Sequence, residues 1–363
     1  MNITNKISFS RIVSVLIVCT LLVCYSTKLF AGGGPGPSIY NAAINNPAHP
    51  LDTIDAQLKK LSAEAWLMID ASDGYILSSK NPDKIMYPAS MTKMMTCILA
   101  CESGYLNETV TISKEAASTS YGNVKRGERY KLKDLLYRVM LPSDNGAAHA
   151  VGEFLSSKDS IDFATMMNIK AKTLGMKNTH FVNAHGLPDD NHYSTATDMM
   201  RLLRYCMKNK TFAEIVSKSS CDIYTQSGTR IHLKSTNRLF DKYQGCIGVK
   251  TGTTRAAGGC LASAVVRNGV KIYLVIMKCE PARERTDESI VLYNKGFEMI
   301  KKLGNNKPEK NIVTQSINGK KGRDEELLDE YGRDTRNVPR KKSGLNDHDV
   351  YLKHQKNVPV RKM

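Results

Sequence analysis

A serine and a lysine three positions apart, Ser90 and Lys93, have the types and spacing of a nucleophile and its base. They open the apolar run 94–101, which is long enough to predict a buried helix. Positions three apart share one face of a helix, so both side chains point into one space. A serine hydroxyl becomes a good nucleophile when a base takes its proton, and a lysine is that base when burial or nearby cations keep it neutral.

Two polar triplets further along the chain strengthen this interpretation, because a serine and a lysine at this spacing also occur as solvated surface pairs. Ser-Asp-Asn at 143–145 follows an amphipathic helical pattern, and Lys-Thr-Gly at 250–252 ends a short β-like run. Each triplet alone has a plain structural explanation, as a helix cap or as a strand end. Three such motifs in this order indicate one active site.

The composition is that of a globular protein with an excess of basic residues. Hydrophobic residues make up 41% of the 363 and charged residues 24%, and 52 Lys and Arg against 35 Asp and Glu give a net charge of +17. This charge suits an anionic membrane or wall polymer, and a diffuse basic surface without a partner is the alternative. The sequence has no zinc-ligand cluster, RNA-binding signature or recognition-helix pattern, which argues against nucleic acid. We expect neither a metal nor a cofactor.

The N-terminus has the pattern of a secretory signal peptide. Lys6 and Arg11 precede the apolar run 12–23, and Ala31 is followed by three glycines that suit a cleavage site. The run is short for a membrane span, so residues 1–31 are predicted to be removed on export, with an uncleaved anchor as the alternative. The expected location is the periplasm or the cell envelope, with membrane association left open.

Composition divides the rest of the chain into three parts. Residues 32–51 are rich in Gly, Pro and Asn and predict a linker. Residues 52–303 contain all three motifs and form the predicted catalytic domain. Residues 304–363 are polar, basic and poor in apolar side chains, which predicts a disordered tail that the chemistry does not need. The cysteines beyond the signal peptide are scattered and odd in number, so they form no disulfide framework, although one bridge is left open.

Strand and helix patterns are mixed within the catalytic domain. Alternating apolar residues predict β-hairpins at 65–77, 223–233 and 261–277, the last with an Asn-Gly turn, and a short strand at 246–249. Helical spacing lies between the hairpins, and Pro142 ends one helix just before the Ser-Asp-Asn triplet. Helices inserted among antiparallel strands indicate an α+β fold rather than a doubly wound parallel sheet. The predicted helices cover residues 132–140, 146–150, 163–174, 195–206 and 287–303.

From about residue 52 to 303 the chain resembles the serine-type D-Ala-D-Ala carboxypeptidases, the low-molecular-weight penicillin-binding proteins. That family has Ser-x-x-Lys, Ser-x-Asn and Lys-Thr-Gly in this order, and segments 87–96, 181–188 and 248–261 are similar to its other hallmarks. The resemblance implies a DD-peptidase/β-lactamase-like α+β fold, an antiparallel sheet flanked by helices plus a helical subdomain, with the site in the cleft between them. The Glu-containing loop of many β-lactamases is not visible, which disfavours a β-lactamase.

The resemblance also implies a role for each matched position. Ser90 attacks the carbonyl between two D-alanines and forms an acyl-enzyme, while Lys93 takes its proton. Ser143 relays a proton to the departing D-alanine amine, and Asn145 holds the backbone amide of the substrate. Asp144, between these two, is expected to be a solvated loop acid.

The Lys-Thr-Gly strand completes the implied site. Lys250 and Thr251 bind the terminal carboxylate of the substrate, and Gly252 lets the substrate lie close to the strand. The backbone amides of Ser90 and Thr253 form the oxyanion hole.

The implied function is removal of the terminal D-alanine from peptidoglycan pentapeptide stems, with β-lactam antibiotics as acylating inhibitors. A DD-endopeptidase of crosslinked peptidoglycan is the first alternative, since its substrate also has a carboxylate beyond the scissile bond. A non-catalytic wall-binding protein with a decayed site is the second, and the intact serine, lysine and asparagine positions argue against it. Asn183 and His185, in the segment 181–188, are expected to shape a loop rather than to catalyse.

Overall fold

The computed structural model of the chain describes residues 58–304. The predicted signal peptide (1–31), the predicted linker (32–51) and the predicted tail beyond Gly304 lie outside the described residues and stay predictions. Within residues 58–304, no helix is both long and apolar enough to cross a bilayer.

The strands build one large sheet and two small ribbons. In the described part of the chain, strands β1–β9 are Ala65–Asp70, Ile76–Lys80, Thr109–Thr111, Arg129–Lys131, Ser220–Tyr224, Arg230–Lys234, Cys246–Thr254, Gly258–Arg267 and Val270–Cys279. The large sheet is antiparallel and five-stranded, in the order β2-β1-β9-β8-β7. The ribbons pair β3 with β4 and β5 with β6. The three predicted hairpins, β1–β2, β5–β6 and β8–β9, are confirmed.

Side chains of the central strands alternate between two hydrophobic cores, one on each face of the sheet. In β1, Trp66 and Met68 pack into the smaller core, while Leu67 and Ile69 pack into the larger one. Because both faces are covered, a central strand is a continuous apolar run in the sequence, without strict alternation of polar residues.

Helices cover the sheet and form the rest of the larger core. In the described residues, helices α1–α9 are Lys93–Glu102, Lys114–Ser118, Leu132–Met140, Asn145–Asp159, Phe163–Thr173, Ala196–Cys206, Lys210–Val216, Leu239–Lys242 and Glu284–Leu303. Helix α1 lies in the larger core and packs against α3, α4 and α6. Helix α9 contributes Leu292 and Tyr293 to the smaller core and begins at Glu284, slightly before its predicted start at residue 287. The α+β class with an antiparallel sheet and flanking helices is confirmed.

Strand β7 is longer than the sequence pattern indicated. The prediction of a strand at 246–249 that ends where the Lys-Thr-Gly triplet begins is wrong, because β7 continues to Thr254 and contains the triplet. The polar triplet stays extended because it pairs with β8 as far as the Thr254–Gly258 pair. The triplet is therefore held on an edge strand of the large sheet, which packs against the turn Ala89–Thr92.

Candidate active site

A 3₁₀ turn at Ala89–Thr92 leads directly into α1 and carries the predicted nucleophile. The turn starts with Ala89 in the left-handed region, at φ +48°, which is uncommon for a residue with a side chain. At the start of α1, Lys93 Nζ lies 2.9 Å from Ser90 Oγ. The structure thus brings together the two residues that the sequence pattern placed on one helix face.

Lys93 is fully buried, and its Nζ lies within hydrogen-bond distance of three oxygens. These are Ser90 Oγ at 2.9 Å, Asn145 Oδ1 at 2.6 Å and the His185 carbonyl oxygen at 2.7 Å. Burial and the nearby charge of Lys250 lower the pKa of Lys93 well below its usual value, and the Asp144 carboxylate opposes this shift. The neutral amine is therefore available at pH values where an ordinary lysine is charged.

The partners of Lys93 fix the direction of its lone pair. A neutral amine keeps two N–H groups, and a carbonyl oxygen only accepts hydrogen bonds. Asn145 presents its oxygen to Lys93 because its Nδ2 donates to the Ser120 carbonyl oxygen at 2.7 Å. When Asn145 Oδ1 and the His185 carbonyl accept both N–H groups, the lone pair faces the Ser90 hydroxyl, which then donates to it. This is the direction of proton transfer that a serine nucleophile needs.

The Ser-Asp-Asn triplet reaches this centre through Asn145, whose side chain bonds to protein at both its oxygen and its nitrogen. Its role as a ligand of the substrate amide stays a prediction. Ser143 lies half-buried in the turn before α4, with φ +68°. Within residues 58–304 its hydroxyl has no protein hydrogen-bond partner, so it is free to bond to a substrate.

Asp144 is not the solvated loop acid that the sequence suggested. It is 2% exposed and caps α4 by accepting a hydrogen bond from Ala147 N at 3.0 Å. Its other carboxylate oxygen lies 2.8 Å from Arg138 Nε, so a buried guanidinium neutralises the buried carboxylate. The prediction was wrong because Arg138 belongs to a different element, α3, and the local polar triplet gives no sign of this partner.

Lys250 on β7 is close enough to Lys93 for its charge to lower the pKa of Lys93. It is buried, and its Nζ donates to the Thr251 carbonyl oxygen at 3.0 Å. Burial and the charge of Arg285 lower the pKa of Lys250 to about 7. The Thr251 hydroxyl lies 2.5 Å from the Thr236 hydroxyl. At neutral pH Lys250 is therefore only partly charged until an anion binds beside it.

Gly252 lies against the nucleophile turn. A Cβ placed on it would come within 3.0 Å of the Pro88 carbonyl oxygen, 3.1 Å of Ala89 Cβ and 3.2 Å of Ser90 N. This close approach is a packing reason for glycine, in addition to the predicted one of substrate access. It also brings the Ser90 amide next to β7, as an oxyanion hole shared with Thr253 requires.

Arg285 was not recognised in the sequence and lies at this edge of the site. From α9, its Nη1 donates to Thr253 Oγ1 at 2.5 Å and to the Gly252 carbonyl oxygen at 3.3 Å. Among the described residues, no carboxylate pairs with its guanidinium. A second cation is therefore close to the Lys-Thr-Gly strand without a fixed counterion. The sequence offered no signal for it, because nothing there distinguishes Arg285 from Arg283.

Comparison with known proteins decides the family. A family model described as D-alanyl-D-alanine carboxypeptidase matches residues 52–280. The chain belongs to this family. The family predicted from the three motifs is thereby confirmed.

Relatives within the D-alanyl-D-alanine carboxypeptidase family match at about the same level of identity. The D-alanyl-D-alanine carboxypeptidase DacF of Bacillus subtilis is 32% identical over 230 residues, which cover 61% of this chain and 59% of DacF. DacB2 of Mycobacterium tuberculosis, of the same description, is 30% identical over 242 residues, which cover 65% of this chain and 82% of DacB2. Among solved structures, the Streptomyces K15 DD-transpeptidase aligns with a TM-score of 0.62 and 28% identity, over 66% of this chain and 98% of that chain.

In this D-alanyl-D-alanine carboxypeptidase family member, the loop at 183–187 packs against the nucleophile turn. Asn183 Oδ1 accepts hydrogen bonds from His185 N at 3.2 Å and from Gly186 N at 2.7 Å. Burial lowers the pKa of His185 to about 3, so its ring is neutral, and its contact with Lys93 is made by the backbone carbonyl. These contacts agree with the prediction that Asn183 and His185 shape a loop.

Gly186 allows a direct test of this packing. It has φ +83°, and a Cβ on it would lie 1.9 Å from the Ala89 carbonyl oxygen. We expect Gly186→Ala to lower the melting temperature and to displace the nucleophile turn, so that acylation by penicillin slows. Thermal unfolding and the rate of penicillin labelling measure the two effects.

Gly175→Ala is the matched control for this variant. Gly175 has φ +68°, and no atom would lie within 4 Å of a Cβ placed there. Both variants incur the cost of a left-handed residue with a side chain, about 1–2 kcal/mol, but only Gly186→Ala adds a clash. Equal stability and equal acylation in the two variants would contradict the role given to the loop.

Within the described residues, neither a reactive cysteine nor a cluster of metal ligands forms part of the site. The seven cysteines in the described residues are all free thiols. Burial raises the pKa of the Cys97 and Cys206 thiols, which are therefore packed core residues rather than nucleophiles. Within residues 58–304, no group of His, Cys, Asp or Glu is arranged to hold a metal ion.

Proposed function

We propose that this chain is a serine D-Ala-D-Ala carboxypeptidase that removes the terminal D-alanine of peptidoglycan pentapeptides through a Ser90 acyl-enzyme. The observation that carries the proposal is the 2.9 Å contact between Ser90 Oγ and the buried Lys93 Nζ, whose two other partners only accept hydrogen bonds. A lysine with a lowered pKa in this arrangement is a base for the serine hydroxyl. Membership of the D-alanyl-D-alanine carboxypeptidase family supports the same activity.

In the proposed reaction, Ser90 Oγ attacks the carbonyl carbon between the two D-alanines while Lys93 takes the hydroxyl proton. The Ser90 and Thr253 backbone amides stabilise the oxyanion, and loss of one donor of this kind costs on the order of 10²–10³ in rate. The C–N bond then breaks, and Ser143 passes the proton from Lys93 to the departing amine. Water, deprotonated by the same lysine, hydrolyses the ester, releases the shortened peptide and restores the Ser90 hydroxyl.

The terminal carboxylate of the substrate is proposed to bind beside the Lys-Thr-Gly strand, to Lys250, Arg285 and the Thr251 hydroxyl. Support comes from two cations at this edge and from the absence of a carboxylate partner for Arg285 within the described residues. Because the pKa of Lys250 is about 7, a bound carboxylate shifts this lysine toward its charged form. Gly252 leaves the strand accessible to the substrate.

The test is to incubate the purified protein with pentapeptide monomers and with crosslinked dimers, and to follow both by chromatography. We expect fast release of D-alanine from monomers while dimers stay intact, because the chain belongs to the D-alanyl-D-alanine carboxypeptidase family. Preferential conversion of dimers to monomers would overturn the proposal in favour of a DD-endopeptidase. The K15 relative is named a DD-transpeptidase, so a parallel reaction with an added amine shows whether the acyl group goes to water or to the amine.

The proposal extends to partners and location. β-Lactams are proposed to acylate Ser90 because their reactive amide and carboxylate resemble the D-Ala-D-Ala end. Export to the periplasm or cell envelope is supported by the signal-peptide pattern at 1–31. The net charge of +17 supports a weak, salt-sensitive attraction to an anionic membrane or wall polymer.

A further inference from the structure

The buried ion pair between Arg138 and Asp144 lies next to the proposed site and has no role in the reaction described so far. Its side chains are 8% and 1% exposed, and Arg138 Nε lies 2.8 Å from Asp144 Oδ2. Of the ion pairs found within residues 58–304, it alone has both side chains less than one tenth exposed. Such a pair loses the hydration of two charges and gives little net stability. Its place beside the base therefore points to another role.

Asp144 joins the two backbone segments that hold Asn145. Its carboxylate accepts hydrogen bonds from Ala147 N at 3.0 Å, in α4, and from Asn123 N at 3.1 Å. Asn123 belongs to the same loop as Ser120, whose carbonyl oxygen accepts from Asn145 Nδ2. Through these bonds Asp144 sets the position of the amide oxygen that Asn145 presents to the base.

The guanidinium and the backbone carbonyl of Arg138 are both held by hydrogen bonds. Its Nη1 donates to the Tyr130 hydroxyl at 3.1 Å, and that hydroxyl donates to Glu128 at 2.7 Å. Its carbonyl oxygen accepts a hydrogen bond from Asp144 N at 3.2 Å. The guanidinium is thus held in one place, opposite a carboxylate that is also fully bonded.

The charged and titratable groups that face Lys93 come from three elements. They are Lys250 on β7, Asp144 at the start of α4 and His185 on its loop. Lys250 lowers the pKa of Lys93 and Asp144 raises it, while the His185 ring is neutral. Arg138, from α3, is the counter-charge that limits how strongly Asp144 draws a proton to the base.

We propose that Arg138 and Asp144 are a positioning pair for Lys93. The pair holds Asn145 against the amine of Lys93 and keeps the charge on this side of the base balanced. The inference rests on the proposed function, because the pair acts only through Lys93. It predicts that removing one charge of the pair moves the pH dependence of acylation, and that the direction depends on which charge is removed.

The two single variants have opposite expected effects on the acid limb, the rise of the acylation rate with pH. Arg138→Gln leaves Asp144 uncompensated, which favours protonated Lys93 and moves the limb up by about half a pH unit. Asp144→Asn leaves Arg138 uncompensated, which disfavours protonated Lys93 and moves the limb down by about one pH unit. The limb of the double variant lies between those of Asp144→Asn and the wild type.

The experiment measures the second-order rate of acylation by benzylpenicillin against pH for the wild type, both single variants and the double variant. Arg138→Lys keeps the charge and is expected to keep the limb. Glu102→Gln is a matched control, because Glu102 lies at the far end of the helix that begins with Lys93 and forms an ion pair there with Lys170 at 2.7 Å. Near-ultraviolet circular dichroism at each pH shows that the measured variants are folded.

Opposite shifts of the two single variants support the proposal. A lower rate in both with an unmoved limb, or shifts in the same direction, would show a purely structural pair and overturn it. If a single variant does not fold, the double variant and Arg138→Lys decide. The proposal is overturned if the acid limb of the double variant lies at higher pH than that of the wild type. It is also overturned if the acid limb of Arg138→Lys is shifted. A wild type that penicillin does not acylate would instead refute the proposed function.

Discussion

Replacing Ser90 by alanine is expected to abolish both the release of D-alanine and the formation of a covalent penicillin adduct. Alanine has no nucleophilic oxygen, and the loss of the nucleophile in a serine hydrolase costs on the order of 10⁶ in kcat. The fold should be retained, because Ser90 Oγ bonds only to Lys93 among the described residues. D-Alanine assays and intact-mass spectrometry after penicillin exposure measure the two losses.

Ser78→Ala is a suitable control for this variant. Ser78 is a buried serine in β2 whose hydroxyl accepts a hydrogen bond from Trp66 Nε1 at 3.0 Å. It lies outside the site, so its loss is expected to reduce stability while acylation persists. An adduct that forms on Ser90→Ala would place the nucleophile elsewhere in the chain.

Lys93→Arg is expected to lower the acylation rate by about 10²–10⁴-fold, the range for loss of a general base. Arginine is charged at every accessible pH and has no lone pair to accept the serine proton. In the wild type, the pKa of Lys93 is lowered, and the neutral amine forms as pH rises through this lowered pKa. The rate should therefore rise with pH along a limb well below about 10.4, the ordinary lysine pKa. This limb should be absent from the arginine variant.

Above a pH of about 7, the acylation rate of the wild type should fall again for substrates with a carboxylate. Lys250, with a pKa of about 7, loses its charge as pH rises through that value, so free enzyme attracts the carboxylate less strongly.

Lys170→Arg is the matched control for Lys93→Arg, because Lys170 is a largely buried lysine that pairs with Glu102. It is expected to retain both limbs. Near-normal acylation by Lys93→Arg would contradict the assignment of Lys93 as the base.

Local motifs were predictable from the sequence because their residues share one element. Ser90 and Lys93 lie one helical turn apart, so their spacing alone was enough to place them together. The hairpin β8–β9 was likewise visible as two apolar runs around an Asn-Gly turn.

Features that depend on contacts between distant elements were not predictable. The partner of Asp144 comes from another helix, and a polar loop residue gives no sign that it will be buried. Arg285 reaches the Lys-Thr-Gly strand from α9, and basic residues are common near the start of that helix. The end of β7 was missed because its last five residues, 250–254, are polar or small and stay extended only through their pairing with β8.

The most direct test of the account is to locate the penicillin adduct on the wild-type protein. The protein is exposed to benzylpenicillin, quenched in acid, digested with trypsin and examined by mass spectrometry. Trypsin cleaves after Lys84 and Lys93, so Ser90 lies in the peptide 85–93. The account predicts that this peptide carries the adduct, on Ser90. An adduct on any other residue, or an unmodified protein, would contradict it.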